Sequence, residues 1–434
     1  MTAAILSIGT ELTRGELVNG NARWLAEQLT ELGFQVVEHA TVADDAVHIV
    51  LSLQRLAAQA RVVVCTGGLG PTSDDLTSAA AAQALGVPLE RDPASLAAIE
   101  ARYRTWKRVM PAINAKQADF PRGASVLPNA VGTAPGFAVT LGGARVFFLP
   151  GVPSEMQHLY ETHVAAAIAV LTTRRSFQVH IRTYGLGESA LAERLRDIDL
   201  GGARHTPGIT IGYRASFPEV EVKVLAEHPQ LSQARELAER VAAEVRSLLS
   251  DIAYGGKDDN YPAYVGGLLK RAGLRVALAE SCTGGFIAKL LTDVAGSSEY
   301  VLGGAITYAN SAKHRVLGVE KQVLREHGAV SEEVARAMAE GVLRLAGAEI
   351  AVAVTGIAGP GGGSEQKPVG TVCFALAVVT GAGAQTRSRT EYFPGDREQV
   401  RVRTAYMALR LLAQAAQETL DARESGHVEQ ERAS

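Results

Sequence analysis

The feature that most constrains this chain is a set of short apolar runs without polar alternation: AAILSIG near the start, RVVVCTGG from Arg61 and EIAVAVTG from Glu349. A strand with one wet face alternates, so a continuous apolar run marks a sheet covered on both faces. Helix-like stretches such as ARWLAEQLTELG and SEEVARAMAEGVLRLAG separate such runs. Asn21 is placed to cap the first of these and Gly33 to stop it. Asp44 and Asp45 precede a second helical stretch, and Asp74 or Asp75 is placed to cap a third. Strand and helix in alternation predict an α/β fold with doubly wound sheets, whose functional loops lie beyond the carboxyl ends of the strands.

At 434 residues the chain exceeds a single domain of roughly 150 residues, and three units are expected. Residues 1–172 form the first α/β unit. Residues 173–254 change character: FQVHIRTYG, ESALAERLRDI, ITIGYRAS, VEVKVLAE and LSQARELAERVAAEVRSLL read as strand, helix, two strands and helix, a small α+β module. Arg174 to Tyr254 holds 11 basic against 11 acidic residues, so no basic face is evident and a spacer or dimerisation role is favoured over RNA binding. The polar linker GGKDDNYP leads into a second α/β unit, residues 260–420, and residues 421–434 read as a frayed tail. The fold class is therefore two doubly wound α/β domains joined by a small α+β module.

A formal charge of −3 supplies no bulk field for a polyanion, and no nucleic acid partner is expected. The start Met1–Ser7 lacks the basic residues of a secretory signal, and no run approaches roughly 18 apolar residues, which predicts a cytoplasmic protein without a membrane partner. Cys65, Cys282 and Cys373 include no close pair and read as reduced thiols.

Chemistry concentrates in the second α/β unit. The strand LRVALAE runs into Ser281-Cys282-Thr283-Gly284-Gly285 and a helix-like stretch. A hydroxyl at such a turn lies where free amides of the first helical turn can stabilise an oxyanion, so Ser281 is a candidate nucleophile, or else a helix cap. Taken singly, Tyr308 reads as a strand-end core residue and Lys313 as a solvated helix residue. Taken together after a strand terminus, they read as the proton-handling partners a serine requires. The loop TGIAGPGGGS, Thr355 to Ser364, reads as an anion cradle or as a flexible surface loop. In FPGDREQVRVR, Asp396 is placed to cap the last helix, and either Arg397 or Arg401 is placed to bind a phosphate.

AESCTGG, GGAITYANSAKHRVLGV, TGIAGPGGGS followed by KPVGTV, and FPGDRE together resemble the C-terminal domain of the competence/damage-inducible CinA family, which includes nicotinamide mononucleotide deamidases. The resemblance implies hydrolysis of a nicotinamide carboxamide to the acid with release of ammonia. It further implies catalysis by Ser281, Tyr308 and Lys313, with no cofactor at that site. Thr283, Gly284, Gly285, Gly356, Gly359 and an arginine, Arg397 or Arg401, are then expected to line the substrate. IGTELTRGELVNGNARWLAEQLTELGFQV, TGGLGPTSDDLT, GTAPGF and PGVPSEM resemble the molybdopterin-binding-type domain with which the family begins, and the middle module resembles its KH-like connector.

For the first domain the resemblance implies an ADP-ribose pyrophosphatase dependent on a divalent metal, with Gly67, Gly68, Glu11 and Asn21 at the nucleotide and Asp74 and Asp75 at the metal. The family commonly has Asp where this chain has Asn19. A homodimer is implied by the same analogy. The rival class is an adaptor in competence or DNA-damage response whose first domain holds a nucleotide or pterin without turnover; a molybdenum-cofactor enzyme is a second rival.

Overall fold

The computed structural model describes residues 1–199, 206–381 and 383–433. In the first domain, strands Gln35–Val42, Thr2–Ile8, Val62–Thr66 and Ala144–Leu149 lie side by side in parallel, and Gly136–Leu141 and Ser125–Leu127 continue the sheet antiparallel. The continuous apolar strand is explained by its two faces. Ile5, Val62 and Val64 pack with Leu25, Leu29, Met156 and Leu159, while Leu6, Val63 and Cys65 pack with Ile49, Leu53 and Leu56. Helix Gly20–Glu31 thus covers one face and helix Ala46–Gln59 the other. The chain leaves strand Thr2–Ile8 in one direction and returns past it in the other, which creates a crevice at the strands' carboxyl ends.

Two helix starts differ from the sequence expectation. Asn19, not Asn21, caps Gly20–Glu31, its side chain accepting from the Ala22 amide at 3.0 Å. Neither Asp74 nor Asp75 caps helix Thr77–Leu85, whose N-cap position is Leu76; Asp75 instead accepts from the Thr72 amide and hydroxyl. Asp45 does cap Ala46–Gln59, and Gly33 follows the end of Gly20–Glu31 with φ of 86°.

The middle module has the sheet order Ile209–Ser216, Glu219–His228, Arg175–Thr183, Ala253–Gly255, with helices Glu188–Arg194 and Leu231–Leu248. The short last strand was not apparent from sequence. The chain divides into two compact units, and the division runs through this module: His180 onward, Gly212–Lys223 and Glu244 onward group with the C-terminal residues.

The C-terminal sheet has the order Val301–Ile306, Val276–Glu280, Ile350–Gly356, Thr371–Thr380, Gly383–Tyr392, parallel through the first three and antiparallel after. Large and small residues alternate along its inner strands. Val276, Leu278, Ile350, Val352, Val354 and Phe374 face helices Tyr261–Ala272, Phe286–Thr292 and Arg397–Ala433. Ala277, Ala279, Ala351, Ala353 and Ala375 face Val334, Met338 and Val342 of helix Glu332–Ala346. Small residues there let that helix sit close to the sheet. The last helix is assigned to Ala433, so the stretch read as a frayed tail is helical instead. Its sequence is rich in Glu, Arg and Gln, good helix formers, and Gln417 bonds Asp421 one turn on. No helix among the described residues is long and apolar enough to cross a membrane.

The segment GGKDDNYP, expected to separate independent domains, does so incompletely. Asn260 caps helix Tyr261–Ala272, and Tyr261 packs its ring 4.8 Å from Tyr184, 5.1 Å from Tyr254 and 5.9 Å from Tyr406. Buried Glu219 lies beside this cluster, accepting from Tyr254 at 2.5 Å, Tyr406 at 3.0 Å and Arg182 at 3.3 Å. Burial, and then the Glu219 charge, push both phenol pKa values upward. A cut at Asn260 would strip Tyr184, Tyr254 and Glu219 from the C-terminal unit. Glu219→Ala is expected to lower the unfolding free energy by about 3 kcal/mol, because two phenols and a guanidinium lose a buried acceptor. Urea unfolding measures this, and a loss below about 0.5 kcal/mol, the range of a surface substitution, would show that the cluster does not hold the unit together.

Candidate active site

Ser281 leaves the sheet at the carboxyl end of strand Val276–Glu280, and its amide donates to the Val354 carbonyl at 3.1 Å. Lys313 lies on helix Asn310–Leu317, which follows the neighbouring edge strand. Its Nζ stands 2.9 Å from Ser281 Oγ, 2.8 Å from the Thr307 carbonyl and 3.3 Å from the Tyr308 carbonyl. Lys313 is 1% exposed and Ser281 7%. The reading of Lys313 as a solvated helix residue is therefore corrected. Burial lowers its pKa from the usual 10.5, since a dry site disfavours the ammonium. In the neutral amine the two carbonyls engage both N–H bonds, and the lone pair is left for the serine proton.

The turn after Ser281 does not offer the helix amides anticipated from sequence. The buried carboxylate of Glu280 accepts from the amides of Gly285 at 2.9 Å, Ile287 at 3.1 Å and Ala288 at 2.8 Å. Ser281 is thus no helix cap, because Glu280 fills that role. Among the described residues the amides of Cys282 and Thr283 donate to no backbone carbonyl, and both hydrogen-bond toward the Cys282 sulfur. Among the described residues the Thr283 and Thr307 hydroxyls are buried without a partner. Cys282 points into the apolar cluster, and burial pushes its thiol up to about 12.

Tyr308 is half exposed rather than core. Its hydroxyl accepts from Arg397 Nη2 at 2.8 Å, and Arg397 Nη1 donates to the Gly359 carbonyl at 2.7 Å. One guanidinium so ties three motifs together. At this point the glycine loop presents a carbonyl to a cation, where the cradle reading called for amides, and Lys367 pins the loop to the His327 and Val330 carbonyls. Gly356 ends strand Ile350–Gly356. Arg401 donates from Nη2 to the Thr283 carbonyl at 2.7 Å, lies over the Phe286 ring, and approaches Gly284. Asp396 caps the last helix through the Gln399 amide.

In the first domain a cleft of about 950 Å³ opens at the carboxyl ends of the parallel strands, lined by Glu11, Asn21, Gly67, Gly68, Asp74 and Asp75 among others. Gly67 and Gly68 have φ of 103° and 66°. A Cβ at Gly67 would collide with the Ile8 carbonyl, and one at Gly68 with the Thr77 hydroxyl, so packing alone requires glycine at both. Asn21 donates to the Gly151 carbonyl at 2.7 Å and to Thr66 Oγ1 at 3.3 Å, pinning one cleft wall to the other.

Asp74 and Asp75, the residues anticipated at a divalent ion, both line this cleft. Among the described residues no three His, Cys, Asp or Glu side chains gather to hold one. Asp75 is turned to Thr72, Asp44 to Thr10 and Glu155 to Asn129. The Asp missing relative to the family pattern is also accounted for locally, since Asn19 is a helix cap, a role Asn and Asp fill alike.

Fold and site define a multidomain α/β protein with a buried serine–lysine pair at the edge of one sheet and a glycine-turn cleft at the edge of another. Residues 4–169 match "Probable molybdopterin binding domain", 178–255 "Damage-inducible protein CinA KH domain" and 258–416 "CinA C-terminal domain". "CinA-like protein" of Anaeromyxobacter sp. (strain K) is 43% identical over 95% of this chain and 99% of its own. That of Geotalea daltonii is 43% identical over 95% and 98%. A crystal structure of "competence/damage inducible protein CihA" from Agrobacterium tumefaciens is 44% identical, covering 35% of this chain and 91% of its own, with a TM-score of 0.33. The chain belongs to the CinA family of competence-damage proteins.

The geometry of the Ser281 turn makes a prediction about its neighbour. Cys282, buried and with its thiol held far from the thiolate, should resist iodoacetamide at pH near 8 in the folded protein and react once urea unfolds it. Rapid alkylation of folded protein at Cys282, read by peptide mass spectrometry, would contradict the buried placement.

Proposed function

We propose that the C-terminal site hydrolyses the carboxamide of nicotinamide mononucleotide, giving the acid and ammonia. The observation that carries this reading is the 2.9 Å approach of a desolvated lysine amine to Ser281 Oγ, with two carbonyls holding the amine in place. Ser281 Oγ attacks the amide carbon and its proton passes to Lys313 Nζ. The carbonyl electron pair moves to oxygen. As the oxyanion collapses, the C–N bond breaks and Lys313 returns the proton to the leaving nitrogen, which departs as ammonia. Water then attacks the ester, Lys313 takes its proton, and the C–O bond to Ser281 breaks with reprotonation of Oγ. Tyr308, held by Arg397, borders the entrance. Arg401 keeps Nε and Nη1 for the substrate phosphate, whereas Arg397 has engaged both Nη atoms. No step uses a metal.

For the first domain the cleft volume and its position favour a nucleotide site. We read it as the site of an ADP-ribose-like ligand, with Asp74 and Asp75 in its lining.

Purified protein incubated with nicotinamide mononucleotide should release ammonia, with or without a chelator. Ser281→Ala and Lys313→Ala should each lose at least about 10³-fold in kcat, and Cys282→Ala should keep most activity. Because the neutral amine is the base, kcat/KM should fall as pH drops through the lowered Lys313 pKa. Folded wild-type protein that releases no ammonia refutes this function.

A further inference from the structure

Glu280 has no part in the reaction steps above, yet it is 2% exposed at the end of strand Val276–Glu280, next to the sheet edge, and its carboxylate is held by three amides. Its Oε2 accepts from Gly285 and Ile287, its Oε1 from Ala288. No Lys, Arg or His among the described residues pairs with it. We propose that Glu280 is the positioning residue of the nucleophile turn: its carboxylate gathers these three amides and fixes the path from Ser281 to Gly285. This rests on the deamidase reading of the same site.

Three donors converging on one side chain require two acceptor oxygens, which a carboxylate has and a carboxamide lacks. A Gln there with its oxygen in place of Oε2 turns an NH₂ toward the Ala288 amide, leaving two donors opposed. Glu280 also acts through its main chain. Its carbonyl accepts from the Thr307 amide at 2.8 Å, and the Thr307 carbonyl accepts from Lys313. One residue therefore holds the serine's turn with its carboxylate and the lysine's acceptor with its backbone.

The test compares wild type with Glu280→Ala and Glu280→Gln in the full chain, with folding checked by circular dichroism. Steady-state kinetics with nicotinamide mononucleotide and the rate of Ser281 labelling by a fluorophosphonate are measured. Both variants should lose about 10²-fold in kcat, the scale of an ångström-sized misplacement, with KM changed by no more than about 3-fold. Ser281 labelling should slow in parallel. Formate should restore part of the Glu280→Ala rate at constant ionic strength. Unchanged kcat, a rise in KM alone, or unchanged labelling in a folded variant would overturn the proposal. The isosteric Glu280→Gln carries the same comparison where Glu280→Ala fails to fold. Wild type that releases no ammonia, but whose labelling slows in the variants, would sink the deamidase reading and leave this one standing.

Discussion

A lysine amine withdrawn from water sets the terms for the C-terminal domain. An ammonium buried at Lys313 would cost several kcal/mol without a carboxylate partner, and among the described residues its partners are two carbonyls and a hydroxyl. The fold answers by favouring the uncharged amine. Linkage fixes the sign. With the folded pKa below the unfolded one, the folded protein binds fewer protons between the two values, so stability rises with pH across that window and is lowest below the folded pKa. The protonation state that suits the fold is the one that can take a proton from Ser281.

Holding that amine needs rigid surroundings, and the sheet supplies them. Ser281 and Thr307 follow the ends of adjacent parallel strands, in register at Glu280 and Ile306. The Ile350–Gly356 strand on the other side receives the Ser281 amide. The alanine-lined face beneath keeps helix Glu332–Ala346 close, and the opposite face is filled by larger side chains. Positioning of the serine and lysine is thus a property of close-packed strands, with loops adding Tyr308, Gly359 and the two arginines around the rim.

Much of this architecture was legible because buried parallel strands leave an unbroken apolar run, as in RVVVCTGG and EIAVAVTG. What escaped was decided by three-dimensional neighbours. Asn19 and Asn21 both stand at a helix start, and only geometry selects Asn19 as the cap while sending Asn21 across to Gly151. Asp75 reads as a cap or a ligand until Thr72 claims it. Lys313 lies on a helix with several charged residues, and only its seat over the Thr307 carbonyl distinguishes it from a solvated lysine. Glu280 did carry a signal, a lone charge closing the otherwise apolar strand VALAE six residues before a helix begins. The meeting of Tyr184, Tyr254, Tyr261 and Tyr406 spans too much sequence for any local pattern to betray.

The tyrosine cluster also divides the molecule optically. Both tryptophans, Trp24 and Trp106, belong to the first domain, where Trp24 meets Tyr160 edge-on at 5.3 Å. The clustered tyrosines all belong to the second compact unit. Light absorbed by indole alone therefore reports on one part of the chain, while tyrosine emission, enriched by the cluster, weighs toward the other. Native chromophores so provide two distinguishable signals for following the order in which the units melt, without any label being introduced.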